Sequence, residues 1–173
     1  MIFNLGSYVG YTSAHFAFLN PDAHIISVEM DRNNYEMALE NTRNCPGVHT
    51  INAAIWYKDG YVAYEGEEER GFHVINGHQT QNTVKSITID TLVKEFAVEH
   101  IDYLKMDIEG AEFEIFDHSH DRVHNVDTMR IELHGFLKPK RKSIDLSSML
   151  EEKGFCCYRD TNHPKCLVAI RQV

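Results

Sequence analysis

The stretch Ile2-Phe3-Asn4-Leu5-Gly6-Ser7-Tyr8-Val9-Gly10-Tyr11-Thr12, followed by His24-Ile25-Ile26-Ser27-Val28-Glu29, decides the fold. Ile2 to Leu5 is a short apolar strand that runs directly into glycine, and from Tyr11 to Leu19 the spacing turns helical, with Tyr11, Ala14, His15 and Phe18 on one face. Asn20-Pro21 stops that helix, because the residue before a proline is pushed out of the helical region. The β-branched run His24 to Glu29 reads as a buried strand. Asp31 then caps a helix whose apolar side carries Tyr35, Ala38 and Leu39 and which ends near Cys45-Pro46-Gly47. Val48 to Ile55 is a third strand. Strands alternating with helices in this way predict a parallel sheet with right-handed crossovers, one half of a doubly wound α/β fold.

Beyond this half, Tyr61 to Tyr64, Phe72 to Ile75 and Val84 to Ile89 are short strands around the acidic stretch Glu65 to Gly71. They predict a solvent-exposed β-hairpin insertion with Glu67-Glu68-Glu69 at a solvated tip. Asp90 caps a helix bearing Leu92, Val93 and Phe96, and Ile101 to Met106 is a strand that ends in Asp107-Ile108-Glu109-Gly110. A helix from Ala111 to Phe116 and a strand from Val126 to Leu133 follow. Ser143 opens a helix with Leu146, Met149 and Leu150 inside and Gly154 past its end. Phe155 to Tyr158 and Cys166 to Val173 close the chain as a hairpin around Asn162-His163-Pro164. The expectation is one α/β domain over residues 1–173, with a mostly parallel sheet of about seven strands and an antiparallel C-terminal hairpin.

Composition narrows the function classes. The 173 residues carry 17 Lys+Arg against 26 Asp+Glu, a net charge of −9, and 43% are hydrophobic, which suits one globular domain and excludes a disordered chain. Apolar runs such as Leu167 to Ile170 are far shorter than the roughly 18 residues of a membrane span. Met1 to Gly6 has no basic leader, so the cytoplasm is the expected location. Cys45, Cys156, Cys157 and Cys166 show no C-x-x-C spacing and read as reduced structural thiols. The negative charge repels phosphate backbones, so no nucleic-acid partner is expected; Lys138 to Lys142 is the one basic patch. Oligomeric state stays open, a homo-oligomer being one arrangement the sequence allows.

In an open α/β sheet ligands bind at the carboxyl ends of the strands, which draws attention to Gly6 to Tyr11, Glu29, Asn52, Ala53, Asp107, Glu109, Glu132 and His134. Gly6 and Gly10 bracket a turn that brings backbone close to a ligand or, equally, packs a strand tightly on a helix. It is not a dinucleotide fingerprint, since Tyr8 fills the place of the second glycine, nor a phosphate loop, since no Lys-Ser/Thr pair follows. Glu29 stands about two dozen positions after Gly6, where a carboxylate accepts the hydroxyls of a ribose; the alternative is a solvated strand-end acid. Asn52-Ala53 offers an amide and a backbone N–H to an adenine edge, or is an ordinary turn.

The runs Asn4 to Ser13, Ser27-Val28-Glu29, Asn52-Ala53-Ala54-Ile55 and Thr88-Ile89-Asp90-Thr91-Leu92, and above all Leu104-Lys105-Met106-Asp107-Ile108-Glu109-Gly110-Ala111-Glu112, resemble the FkbM family of S-adenosylmethionine-dependent methyltransferases. The resemblance spans nearly the whole chain. It implies a Rossmann-like class I methyltransferase fold, S-adenosylmethionine as cofactor, and methylation of a hydroxyl on a small-molecule, sugar or lipid-like acceptor. It places Gly6, Ser7, Tyr8 and Gly10 at the methionine part of the cofactor, with Asn4, Val9 and Thr12 in the same segment. It puts Glu29, beside Met30, at the ribose, Asn52 and Ala53 at the adenine, and Asp107 towards the methionine end. The chain departs from the family at Asn4, where relatives carry an acid, and in beginning at the first strand, where relatives have covering helical segments.

Methyl transfer needs an aligned acceptor oxygen, exclusion of water and removal of the hydroxyl proton. His134, with an ordinary pKa near 6.5, is the expected general base, and a hydrogen-bonded structural histidine is its alternative. Asp107 and Glu109 share the catalytic expectation. A magnesium ion held by Asp107, Glu109, Glu132 and His134 is considered but not preferred, so no metal ligand is assigned. His118, His120 and His124 read as surface residues. The competing functions are methylation of protein or RNA, and a catalytically idle nucleoside-binding or assembly domain.

Overall fold

The computed structural model describes residues 1–67, 71–75, 82–118, 125–134 and 143–172. In chain order the elements are β1 (Ile2–Leu5), α1 (Tyr11–Leu19), β2 (Ile25–Glu29), α2 (Arg32–Thr42), β3 (Val48–Asn52), β4 (Ala54–Ile55), β5 (Gly60–Glu67), β6 (Gly71–Ile75), β7 (Thr83–Ile87), α3 (Ile89–Glu95), β8 (Ile101–Met106), α4 (Glu112–His118), β9 (Val126–Glu132), α5 (Ser143–Glu151), β10 (Phe155–Arg159) and β11 (Cys166–Arg171). The main sheet has the order β10-β11-β9-β8-β1-β2-β3, parallel except that β11 runs antiparallel to both β9 and β10. This is the seven-stranded, mostly parallel sheet with an antiparallel finish that the pattern predicts. Strand order reverses at β1, which pairs with β2 on one side and β8 on the other, so a crevice opens where their carboxyl ends diverge.

Fully buried Phe3, Leu5, Ile26, Leu104, Met106, Met129 and Ile131 form the spine of the core, and Leu146 and Leu150 of α5 pack into the same cluster. Asp31 caps α2 as expected, accepting hydrogen bonds from the backbone N–H groups of Asn33 and Asn34 at 3.0 and 2.9 Å.

The inward faces of the first two helices differ from expectation. Tyr11 and Phe18 of α1 are 69% and 80% exposed, and Ser13 is its buried residue. The cause is a polar stripe beneath the helix: Asn4 Nδ2 donates to Ser13 Oγ at 2.8 Å, and Ser13 Oγ lies 2.8 Å from Ser27 Oγ. On α2 the buried stripe is Asn34, Ala38 and Thr42, while Leu39 is exposed. Gly10 sets this choice, because a Cβ there would lie 2.9 Å from the Cα of Ala38. Only a glycine at the start of α1 lets the two helices approach so closely.

The expected third strand divides at Ala53, with β3 in the main sheet and β4 in a second sheet of order β4-β7-β5-β6. β5 and β6 pair as the expected antiparallel hairpin, but one face of their sheet is buried rather than solvent-exposed. Ile55, Trp56, Tyr64, Val74, Val84 and Ile87 join the main hydrophobic cluster, so the insertion is part of the core. Thr88, not Asp90, caps α3, its side chain accepting from Thr91 N at 3.0 Å, with Asp90 inside the first turn. The four cysteines are free, and among the described residues no helix is long and apolar enough to cross a membrane. The acidic tip at Glu68 and Glu69, the histidines His120 and His124, and the basic patch Lys138 to Lys142 lie outside the described residues.

Candidate functional site

At the switch point a cleft of about 300 Å³ opens between the two sheets. Its wall takes Gly6 and Tyr8 from the β1–α1 turn, Val28, Glu29 and Met30 from the end of β2, and Asn34 from α2. Ala53, Ala54 and Ile55, where the chain passes between sheets, Val74 of β6, and Asp107, Ile108 and Glu109 after β8 complete it. Of the residues singled out from the sequence, Gly6, Tyr8, Glu29, Met30, Ala53, Asp107 and Glu109 therefore meet in one cavity. Asn4, Ser7, Val9, Gly10, Thr12, Asn52 and His134 do not line it.

The glycine turn is shaped by its protein neighbours. Gly6 has φ +81°, and a Cβ on it would lie 1.7 Å from the carbonyl oxygen of Asp107, so the close approach that demands glycine is to the chain leaving β8. The N–H groups of Gly6 and Ser7 both donate to Val28 O at 3.0 Å. Tyr8, at φ +52°, donates its N–H to Glu29 Oε2 at 2.8 Å, and Asp31 N donates to Oε1 at 2.9 Å. One carboxylate thus ties the glycine turn to the start of α2. Glu29 is 7% exposed, and burial pushes its pKa up to about 7 against the opposing pull of those two N–H groups. It is neither a solvated strand-end acid nor a free one. Val9 anchors the turn from behind, its carbonyl accepting from Asn41 Nδ2 at 2.8 Å.

Asn52 and Ala53 are used differently from the expectation that they present donors to an adenine. Asn52 Nδ2 donates to the carbonyls of Glu29 and Met30 at 2.9 and 3.0 Å, and Ala53 N donates to Glu29 O at 3.1 Å. These donors hold the β2–α2 turn in place, and Ala53 lines the cleft.

The opposite wall is ionic. Asp107 and Glu109 line the cleft, and His134 lies behind them with 9% of its side chain exposed. Its Nδ1 is 3.1 Å from Glu112 Oε1, and its Nε2 is 3.3 Å from Glu109 Oε2 and 3.6 Å from Glu132 Oε1. Burial by itself lowers the His134 pKa, but the hydrogen bond and charge of Glu112, with the charges of Glu109 and Asp107, carry it above the ordinary value. The ring sits between carboxylates that favour its protonated form. Glu109 is shifted upward too, by burial and by Asp107, Glu112 and Glu132 against the opposing charge of His134. Asp107, Glu132 and His134 place one ligand atom each within 4.8 Å of one another.

Two participants escaped the sequence reading. Lys105 Nζ bonds the carbonyl of Gly6 and Oδ2 of Asp107, both at 3.2 Å, placing a cation where the two halves of the sheet meet. Glu112, the last residue of the run Leu104 to Glu112, is fully buried against His134. Strand pairing explains Lys105, which stands opposite Asn4 in the parallel β1–β8 ladder, two residues from both Gly6 and Asp107 along the two strands. No pattern announces Glu112. Among the described residues, the buried oxygens Asn4 Oδ1, Ser7 Oγ and Asp107 Oδ1 have no hydrogen-bond partner.

Comparison with known proteins gives concordant matches. The model of the methyltransferase FkbM domain matches residues 4–157. Hexuronic acid methyltransferase AglP of Haloferax volcanii is 23% identical over 155 residues, 88% of this chain and 62% of that protein. The structure of M. capricolum TrmK in complex with S-adenosyl-homocysteine superposes with a TM-score of 0.56 at 14% identity, covering 98% of this chain and 61% of that one. The fibrillarin pre-rRNA processing protein of Methanococcus jannaschii gives 0.55 at 15% identity, covering 98% and 65%. The chain thus spans about three-fifths of the length of these relatives.

Proposed function

This chain belongs to the methyltransferase FkbM domain family, and from that premise we propose that it transfers a methyl group from S-adenosylmethionine to a hydroxyl oxygen of a small-molecule, sugar or lipid-like acceptor. The observation that carries the reading is the cleft at the switch point, where Glu29 faces Asp107 and Glu109 across the Gly6 turn. The sugar class is supported by AglP, whose name states a hexuronic acid as its substrate.

The residues present fit an adenosyl sulfonium. Glu29 has lone pairs left after its two backbone bonds, enough to accept from ribose hydroxyls. Met30 and Ala53 offer an apolar slot for a flat base. Asp107 Oδ1, on the cleft wall, is an acceptor in want of a donor, which the ammonium of a methionine moiety supplies. Ser7, Gly10, Val9 and Thr12 act through the shape of the turn. When bound, the sulfonium supplies an electrophilic methyl group that reacts by in-line displacement.

Within the chain, Glu109 takes the acceptor's proton. It lines the cleft, its pKa is raised, and the His134 ring lies 3.3 Å from its Oε2. His134 is then a positioning residue, fixed by Glu112 and Glu132. Asp107 and Lys105 neutralise one another at the base of the glycine turn. Magnesium at Asp107, Glu132 and His134 is the alternative not preferred, since that ion favours all-oxygen ligands and this set includes an imidazole nitrogen.

Isothermal titration of the chain with S-adenosyl-homocysteine, followed by radiolabelled methyl transfer onto uronic acids and hydroxylated sugars, tests the proposal. Binding with transfer to a hydroxyl is expected. A folded chain that binds no nucleoside sulfide would instead leave an idle assembly domain, and labelled protein or RNA would move the acceptor to a macromolecule.

A further inference from the structure

The turn between β10 and β11 gathers a second set of ligand-type side chains on the far side of Glu132. Cys166 and Glu132 are directly opposed in the antiparallel β11–β9 ladder, so their side chains share a face. His163 precedes Cys166 by one tight turn, closed by Cys166 N donating to His163 O at 2.8 Å. Leu133 N donates to Lys165 O at 3.1 Å and holds that turn against the end of β9. As a result His163 Nδ1 lies 3.3 Å from Cys166 Sγ, and His163 Nε2 lies 3.7 Å from Glu132 Oε2.

We propose that Glu132, His163 and Cys166 form a binding site for a divalent transition-metal ion of the zinc type, outside the methyl-transfer cleft. One ligand atom from each residue lies within 4.8 Å of the others. In tetrahedral zinc sites bond lengths of about 2.0–2.3 Å put neighbouring ligand atoms about 3.3–3.6 Å apart. The two measured contacts use different ring nitrogens, so loading needs one rearrangement: the imidazole turns to present a single nitrogen. His163 is free to do so, standing at a turn with 44% of its side chain exposed. A thiolate, an imidazole and one carboxylate select zinc over magnesium or calcium, which favour all-oxygen sites. Three protein ligands leave a fourth position for water.

Without metal, burial keeps the Cys166 thiol protonated, and the charge of Arg130 opposes that effect. On loading, the S–H bond breaks, the sulfur bonds the metal and the proton passes to solvent, with no oxidant or reductant needed. Glu132 is shared: Oε2 faces His163 and Oε1 faces His134. The site does not depend on the methyl-transfer reading, because its ligands assemble through the β9–β11 pairing alone.

Cobalt(II) titration of the full chain distinguishes this site from the Asp107, Glu132 and His134 set, since only a cysteine ligand gives a thiolate-to-cobalt charge-transfer band in the near ultraviolet. The band is expected at one equivalent and is displaced by zinc. It should be lost in Cys166→Ser and His163→Ala, and retained in Cys156→Ser and Asp107→Asn. Zinc affinity in Cys166→Ser should fall on the order of 100-fold, with circular dichroism confirming the fold. Absence of the band in the unmodified chain, or its survival in Cys166→Ser, overturns the site.

Discussion

The two walls of the cleft are built on different principles. On the β1–β2 side backbone groups hold the polar side chains: Glu29 at the wall by the N–H groups of Tyr8 and Asp31, and Asn52 behind it by two carbonyls. On the β8–β9 side side chains hold one another, with Glu109, Glu112 and Glu132 around His134, and Lys105 on Asp107. The first wall is shaped like a mould and tolerates little change in the chain. The second is an electrostatic cluster whose protonation depends on its members. A recognition surface for a fixed cofactor and a surface for proton transfer differ in just this respect.

The contrast is broken most severely at Gly6, the residue that joins the walls. Gly6→Ala would drive a Cβ into the carbonyl of Asp107 from a left-handed backbone position. A loss of at least about 3 kcal/mol of stability is expected in denaturant melts, and near-wild-type stability would show that the two walls are not rigidly coupled.

Next in size is the ionic wall. Glu109→Gln should slow methyl transfer on the order of 10²- to 10⁴-fold while S-adenosyl-homocysteine affinity stays the same. His134→Ala should have a smaller effect and move the pH profile of the rate, because Glu109 loses the neighbour whose charge lowers its pKa. If His134→Ala proves the more damaging, the base assignment reverts to the histidine.

On the moulded wall, Glu29→Gln should weaken cofactor binding by about 1.5–3 kcal/mol, the scale of hydrogen bonds to a charged acceptor. The same residue gives a pH signature. Its folded pKa, about 7, exceeds the ordinary 4.5, so the folded state holds the proton more tightly than the unfolded one. Its contribution therefore favours the fold below about pH 4.5 and is lost as pH rises to about 7. Comparing denaturation from pH 5 to 8 should show this fall in the parent and its absence in Glu29→Gln. The smallest expected effect is that of magnesium: millimolar addition should leave the initial rate unchanged, and a rise would favour a cation at Asp107, Glu132 and His134 over the proton-transfer reading.

Much of the moulded wall was legible. The apolar strand ending in Gly6, the run closing on Glu29 and the cap at Asp31 are local signals, because backbone conformation is encoded by neighbours in the chain. The inward faces of α1 and α2 were not. Tyr11 and Phe18 look like core residues until the polar stripe of Asn4, Ser13 and Ser27 is placed beneath the helix, a match between segments that no single helix reveals. The second sheet was hidden for the same reason: Ile55 pairs not with its neighbours in sequence but with Ile87.

The sequence by itself determined the alternation of strands and helices, the glycine turn, the acid at the end of β2 and the family, all written in local patterns. Only the tertiary structure decided that Asn52 braces a turn, that Glu112 is buried beneath His134, and that Lys105 bridges Gly6 and Asp107. Those roles depend on burial and on distances between residues far apart in the chain, and a carboxylate's or imidazole's chemistry is set by those surroundings rather than by its position in the sequence.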